Sequence, residues 1–336
     1  MRALIAVLLV SFVFSSCNSS SIPDVSNIKI ELTTQRFDRD LFSLDSTDFT
    51  AQLDKLQAKY PSFGEDFLTT VLNCNPQWPA DSISAYVKGF IAAYRGMYDT
   101  AQIVFKDFTP YEKDIRQGLQ YLQYYFPAYK APKKIITYIG PVDGYSDGVS
   151  DDAIIVALHH HLGKNYSYYQ APAIQETYPS YISNRFEPGY IGVACMQKIT
   201  MDMFPEKLED KTLVEQMVEK GKRLYVLSKL LPYTDEYKLI GYTAVQLKDC
   251  YSHERNIWNL FIQNNLLQTI DNNMIRNYIG DGPSTQELGD ASPGNIGSFV
   301  GWQIVKKYMD KNPKTSLPQL MMMSADTIFQ EASKKP

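Results

Sequence analysis

The chain has 336 residues, 44% hydrophobic and 21% charged, a balance that can bury a large core and excludes disordered, collagen-like and coiled-coil classes. Its formal net charge is −4, and the first sixteen residues hold the basic Arg2 and no acidic residue. No basic stripe stands out along the chain, so nucleic acid is excluded as a partner. The composition is unusual only in its aromatics: 24 tyrosines suit helix interfaces with the hydroxyl wet, or a surface that stacks on sugars or anchors a protein.

Met1-Arg2 is followed by the apolar run Ala3 to Phe14, the small residues Ser15-Ser16, then Cys17 and the polar Asn18-Ser19-Ser20-Ser21. A basic start, about a dozen apolar residues and small residues before a cut make a secretory signal peptide, too short for the roughly 20 residues of a membrane span. Ser15-Ser16-Cys17 resembles a bacterial lipobox, with Phe14 where that pattern prefers Leu. The resemblance implies cleavage before Cys17, a diacylglyceryl thioether on its thiol and an acylated amine, more than the two signals that stable anchoring requires. The organisation expected is a signal peptide over 1–16, a lipidated Ser-rich tether over 17–26 and a single globular domain over 27–336.

Apolar residues recur at helical spacing across Phe49–Lys59, Ser82–Arg95, Tyr111–Tyr125, Tyr190–Phe204, Leu213–Leu230, Tyr237–Cys250, Glu254–Leu267, Ser298–Met309 and Leu317–Glu331. Two β-branched stretches, Lys134 to Ile139 and Ala153 to Leu158, flank a turn-rich segment from Gly140 to Gly148 and are predicted to pair as a hairpin. The fold class expected is α+β, predominantly helical with one small hairpin or sheet. A Gly/Pro/Asp loop from Gly280 to Asn295 sets off the last two helices. Cys74, Cys195 and Cys250 are odd in number, and the last two sit in apolar helical patterns, so no necessary disulfide is predicted.

His159-His160-His161 ends the second β-branched stretch; on a continuing strand His159 and His161 would share a face at metal-pair spacing, without a third ligand. Hydrogen-bonded histidines at a strand end are the plainer reading. His253-Glu254 opens like H-E-x-x-H, but the fifth position is Ile257, so no chelate forms. Gly294-Asn295-Ile296-Gly297 before Ser298 offers helix-end amides but lacks the Lys-Ser/Thr pair and preceding strand of a phosphate loop. Gly297 and Gly301, four apart, are instead expected to let their helix press closely on a neighbour. No nucleophile elbow, dinucleotide fingerprint or Cys/His catalytic signature is present, and no cofactor is expected.

Separate stretches are similar, in order, to one family: Gln35-Arg36-Phe37-Asp38-Arg39-Asp40-Leu41-Phe42, Tyr60-Pro61-Ser62-Phe63, Leu162-Gly163-Lys164-Asn165-Tyr166, Tyr178-Pro179-Ser180-Tyr181 with Arg185, Gly221-Lys222-Arg223-Leu224-Tyr225, and Ser292-Pro293-Gly294-Asn295-Ile296-Gly297 with Gly301-Trp302-Gln303. Together after a lipobox they resemble the gliding-motility lipoproteins called GldB. The resemblance implies a lipoprotein of the cell envelope, on the periplasmic face of the outer membrane, that works with motility or envelope proteins. The family is also distantly similar to zinc proteases of the gluzincin type, in which a small sheet precedes an H-E-x-x-H helix and a later helix supplies a Glu ligand. With Glu219 in the place of that ligand, the first motif falls on Cys195-Met196-Gln197-Lys198-Ile199, which has neither histidine nor base, and Lys220 stands where relatives carry Glu. The implied arrangement is a degenerate zincin scaffold and a non-enzymatic protein. A metal-dependent hydrolase using His159 and His161, or a glycan-binding lipoprotein using its tyrosines, are the alternatives.

Overall fold

The computed structural model describes residues 22–207 and 209–334. Strand β1 (Thr33–Arg36) leads into helices α1 (Phe37–Phe42), α2 (Phe49–Lys59), α3 (Pro61–Asp66), α4 (Ala80–Val104) and α5 (Thr109–Tyr125). Strands β2 (Lys134–Tyr138), β3 (Gly148–Val149) and β4 (Ala153–Ala157) follow. The remainder is helical: α6 (Pro172–Thr177), α7 (Ser180–Ser183), α8 (Ile191–Met203), α9 (Leu213–Leu230), α10 (Glu236–Ile240), α11 (Ala244–Ser252), α12 (Glu254–Gln263), α13 (Asn272–Ile279), α14 (Ile296–Lys311), α15 (Leu317–Met322) and α16 (Ala325–Ser333). The class is predominantly helical α+β, as expected, with a four-stranded sheet in the order β1-β2-β4-β3.

The predicted hairpin is corrected. β2 and β4 pair in parallel, with Lys134 opposite Ala153 and Tyr138 opposite Ala157. The segment from Gly140 crosses beyond β4 to form the edge strand β3, which turns back antiparallel onto β4. Both central strands are buried almost throughout, so they carry continuous apolar runs instead of the alternation of a half-solvated hairpin. β1 leaves no trace in the apolar pattern, because Thr-Thr-Gln-Arg has no apolar residue to alternate; it pairs in parallel with β2 at the other edge. Asp38, fully buried, locks that edge: Arg36 donates to both its oxygens at 2.9 and 2.7 Å, and Thr137 and Gln102 donate at 2.5 and 2.9 Å.

Two predicted helices are each divided. Tyr237–Cys250 breaks at Gly241, whose φ of 81° is the left-handed conformation that ends α10, and Thr243 with Gln246 starts α11 through a capping box. Leu317–Glu331 breaks before Ser324, which caps α16. α13 was missed in the sequence because its polar start hides the pattern; Asp271 caps it through the amides of Asn273 and Met274.

α9 organises the helical part. Its start is fixed by the Thr212/Glu215 capping box, and it packs against α8, α14, α15 and α16. α9 and α14 touch backbone to backbone: a Cβ on Gly301 would stand 1.7 Å from the Met217 carbonyl oxygen, and one on Gly221 would stand 2.2 Å from that of Gly301. Gly297 is less confined, its nearest neighbour being the Ile279 Cγ2 methyl.

Candidate functional site

After β4 the chain tightens into a 3-10 turn over Leu158–His160. Alternation along the strand therefore stops, and His159 and His161 do not share a strand face. All three histidines are buried. His159 Nδ1 accepts the Gly140 amide at 3.0 Å, and the ring meets Tyr138 edge-on at 5.1 Å. His160 donates from Nε2 to the Val142 carbonyl at 2.8 Å and stacks on Phe186 at 4.7 Å. His161 Nε2 lies 2.9 Å from Asp147 Oδ2, and its Nδ1 3.4 Å from the Glu187 carbonyl. Asp147 Oδ1 accepts the Ala157 amide at 2.8 Å, and Tyr169 donates to the His159 carbonyl at 2.6 Å. The cluster stitches the 140–147 crossover to the strand end and to the segment entering α8. His159 Nε2 lacks a hydrogen-bond partner among the described residues.

Burial penalises the charged imidazole, driving His159 well below its ordinary value and His160 down to about 4. For Asp147 burial pushes upward, but His161 and the Ala157 amide outweigh it and hold the carboxyl low. These shifts fix a pH dependence. Below about pH 6.5 the unfolded chain protonates both rings while the folded chain leaves them neutral, so stability is fully present above that pH and is lost as pH falls toward the folded values. The loss is about 1.4 kcal/mol per pH unit for each ring. Chemical denaturation at pH 7 and pH 5 should show a lower midpoint in acid, and His160→Gln should shallow the slope. Equal slopes would remove His160 from the account.

α8 lies across β3 and β4 and against α9, and the positions of the gluzincin comparison on these two helices carry no ligand chemistry. Cys195, Met196 and Ile199 are fully buried. Burial, then the nearby Asp147 charge, pushes the Cys195 thiol well up, so a thiolate ligand is disfavoured. Glu219 is committed to cations: Lys222 at 2.9 Å, Lys211 at 3.3 Å and Arg223 at 3.6 Å. Among the described residues no group of three or more His, Cys, Asp or Glu side chains is placed to hold a metal ion. A zinc ion of the gluzincin kind does not fit this donor set. His253 lies apart, hydrogen-bonded through Nδ1 to the Asp249 carbonyl at 2.9 Å. Cys74, Cys195 and Cys250 are buried and free.

Outside the buried cluster the surface opens into a groove of about 650 Å³ between the 164–190 segment and the corner from α10 to α11. Lys164, Arg185 and Lys238 line it together with Tyr181, Tyr190, Tyr237 and the carboxylate Glu187. A family model described as gliding motility protein GldB matches residues 18–336. The chain belongs to the GldB family. No curated protein and no solved structure matches it. The GldB-like stretches of the sequence have distinct places: Arg36 and Asp38 lock a sheet edge, Gly221 and Gly301 form the helix crossing, and Lys164, Tyr181 and Arg185 meet at the groove. Cys17 lies outside the described residues. Sequence reasoning missed Asp147, the partner of His161, and Lys238. Asp147 is one of several acids in a turn-rich loop, and Lys238 lies on a short helix whose place beside the 164–190 segment leaves no trace in the apolar pattern.

Proposed function

We propose that this GldB-family chain is a lipid-anchored, non-catalytic component of the gliding-motility or envelope machinery that acts by holding protein partners. Lipid on Cys17 anchors it, with the body at the periplasmic face of the outer membrane. The observation that carries the non-catalytic reading is the state of the α8–α9 contact. Where a gluzincin-type peptidase would need two histidines, a base and a free glutamate, this chain has buried Cys195, Met196 and Ile199 and a Glu219 neutralised by three cations. Water activation needs an open metal position and a base beside it, and neither group is on offer there. Among the described residues no helix is long and apolar enough to cross a membrane, which agrees with anchoring by lipid.

Crosslinking in cells tests both halves. Wild-type protein is expected in carbonate-washed membranes with a discrete crosslinked protein adduct. Cys17→Ala should move the body to the soluble fraction and lose that adduct. A wild-type chain that forms no adduct, or purified protein holding one zinc per chain that disappears in His159→Ala/His161→Ala, would overturn the reading.

A further inference from the structure

We propose that the groove between the 164–190 segment and the α10–α11 corner binds an extended acidic stretch of a partner protein, its carboxylates held by Lys164, Arg185 and Lys238. The proposal rests on the reading that the chain acts through protein partners and names the chemistry of the contact.

The charge balance carries it first. The chain as a whole is acidic, at −4, yet in this groove cations outnumber carboxylates. Lys164 pairs with Glu187 at 3.4 Å and Arg185 with Asp281 at 3.9 Å, all four side chains being at least 31% exposed. Long, wet pairs of this kind hold little free energy, so incoming carboxylates can replace them. Lys238 has no carboxylate within ion-pair distance among the described residues, though Asp114 lies near enough to feel its charge; its ammonium lies 6.0 Å from the Tyr237 ring centroid.

Placement is the second support. Arg185 is seated on Gly241, where a Cβ would stand 2.8 Å from Nη1. A glycine at that corner, required by its positive φ, thus also gives the guanidinium its berth and limits the rotamer freedom lost on binding. Thr243 and Ala244 bring the amino end of α11 to the same wall, adding the positive end of a helix dipole to the three side-chain charges.

The wall chemistry favours a peptide over a sugar. Tyr181, Tyr190 and Tyr237 are partly buried, and the Lys238 ammonium already sits over the Tyr237 ring. With those rings half-covered, the groove offers cations and hydroxyls more than the fully open aromatic face on which a pyranose stacks. Amphipathic tyrosine rims with charges between them suit an extended acidic segment, whose alternate side chains point to one side.

Fluorescence anisotropy on the detergent-solubilised full-length lipoprotein at low salt tests this, with labelled hexaglutamate as the probe. Hexaglutamate should bind, hexalysine should not, and affinity should fall as salt rises. Lys164→Glu and Lys238→Glu, both lining the groove, should each weaken binding about tenfold with unchanged melting. Absence of binding, wild-type affinity in both variants, or equal competition by trigalacturonate, which would assign the groove to an acidic glycan, overturns the proposal. A crosslinked adduct that survives in Lys164→Glu/Lys238→Glu overturns the groove alone, whereas a wild-type chain without any adduct overturns the partner reading itself.

Discussion

Gly301→Leu is expected to cost about 4 kcal/mol of unfolding free energy or more, beyond the usual 1–3 kcal/mol of overpacking. The obstacle is backbone, not a side chain that can swing away. A Cβ at position 301 would stand 1.7 Å from the Met217 carbonyl oxygen and 2.3 Å from its carbon. Relief requires α14 to move off α9, which would unpack the fully buried Trp302, Val305, Met217 and Val218 together. Gly301→Ala should already be severely destabilising. Gly297→Ala should cost less, about 1–2 kcal/mol, because the closest atom, Ile279 Cγ2 at 2.8 Å, is a side-chain end that can shift, as is Met217 Cε at 3.2 Å, and the Tyr278 carbonyl oxygen at 3.0 Å is tight without the overlap met at Gly301. On the exposed side of α4, Gly89 has nothing within 4 Å of its would-be Cβ, so Gly89→Ala should stabilise by about 0.5–1 kcal/mol. Urea midpoints at constant m-value report all four. A Gly301→Leu chain with the wild-type midpoint would show that the helices do not meet this closely.

Lys222→Ala should be the next most damaging change, at about 3 kcal/mol, the lower end of the range for breaking a buried ion pair. The Lys222 side chain is 2% exposed and its ammonium lies 2.9 Å from Glu219. It also donates to the Met323 and Met321 carbonyls at 2.9 and 3.3 Å. Those carbonyls end α15, where the last turn has no intrahelical donors, so the lysine is both counter-ion and helix cap. Removing it leaves two acceptors unpaired and a gap beside α9, while Lys211 and Arg223 keep Glu219 neutralised and bound the loss. Burial pulls the Lys222 pKa down and Glu219 pulls it back; burial likewise raises Glu219, but its cations prevail and hold it low. A double-mutant cycle with Glu219→Gln isolates the pair, and a coupling energy near zero would assign the whole loss to packing and the α15 carbonyls.

Local pattern determined a good deal of this protein. Helical spacing alone placed α2 and α9 with their observed ends, and two dense β-branched runs located the central strands, because burial of one helix stripe or of both strand faces leaves a direct trace in the order of apolar residues. The signal was weaker where one residue divides two helices: Gly241 ends α10 through its backbone conformation and Ser324 starts α16 as a cap, and neither alters hydrophobic period. Gly297 and Gly301 could be singled out by their spacing, but that spacing could not say what they face. Only tertiary structure decided that Gly301 meets a backbone carbonyl, that β2 and β4 run parallel with β3 outside them, and that His161 is spent on Asp147. It also decided that Lys164, Arg185 and Lys238, scattered over seventy-odd positions, line one groove. Pairing direction, charge partners and grooves depend on where distant segments are brought together by burial of the common core, and separation along the chain carries no record of that.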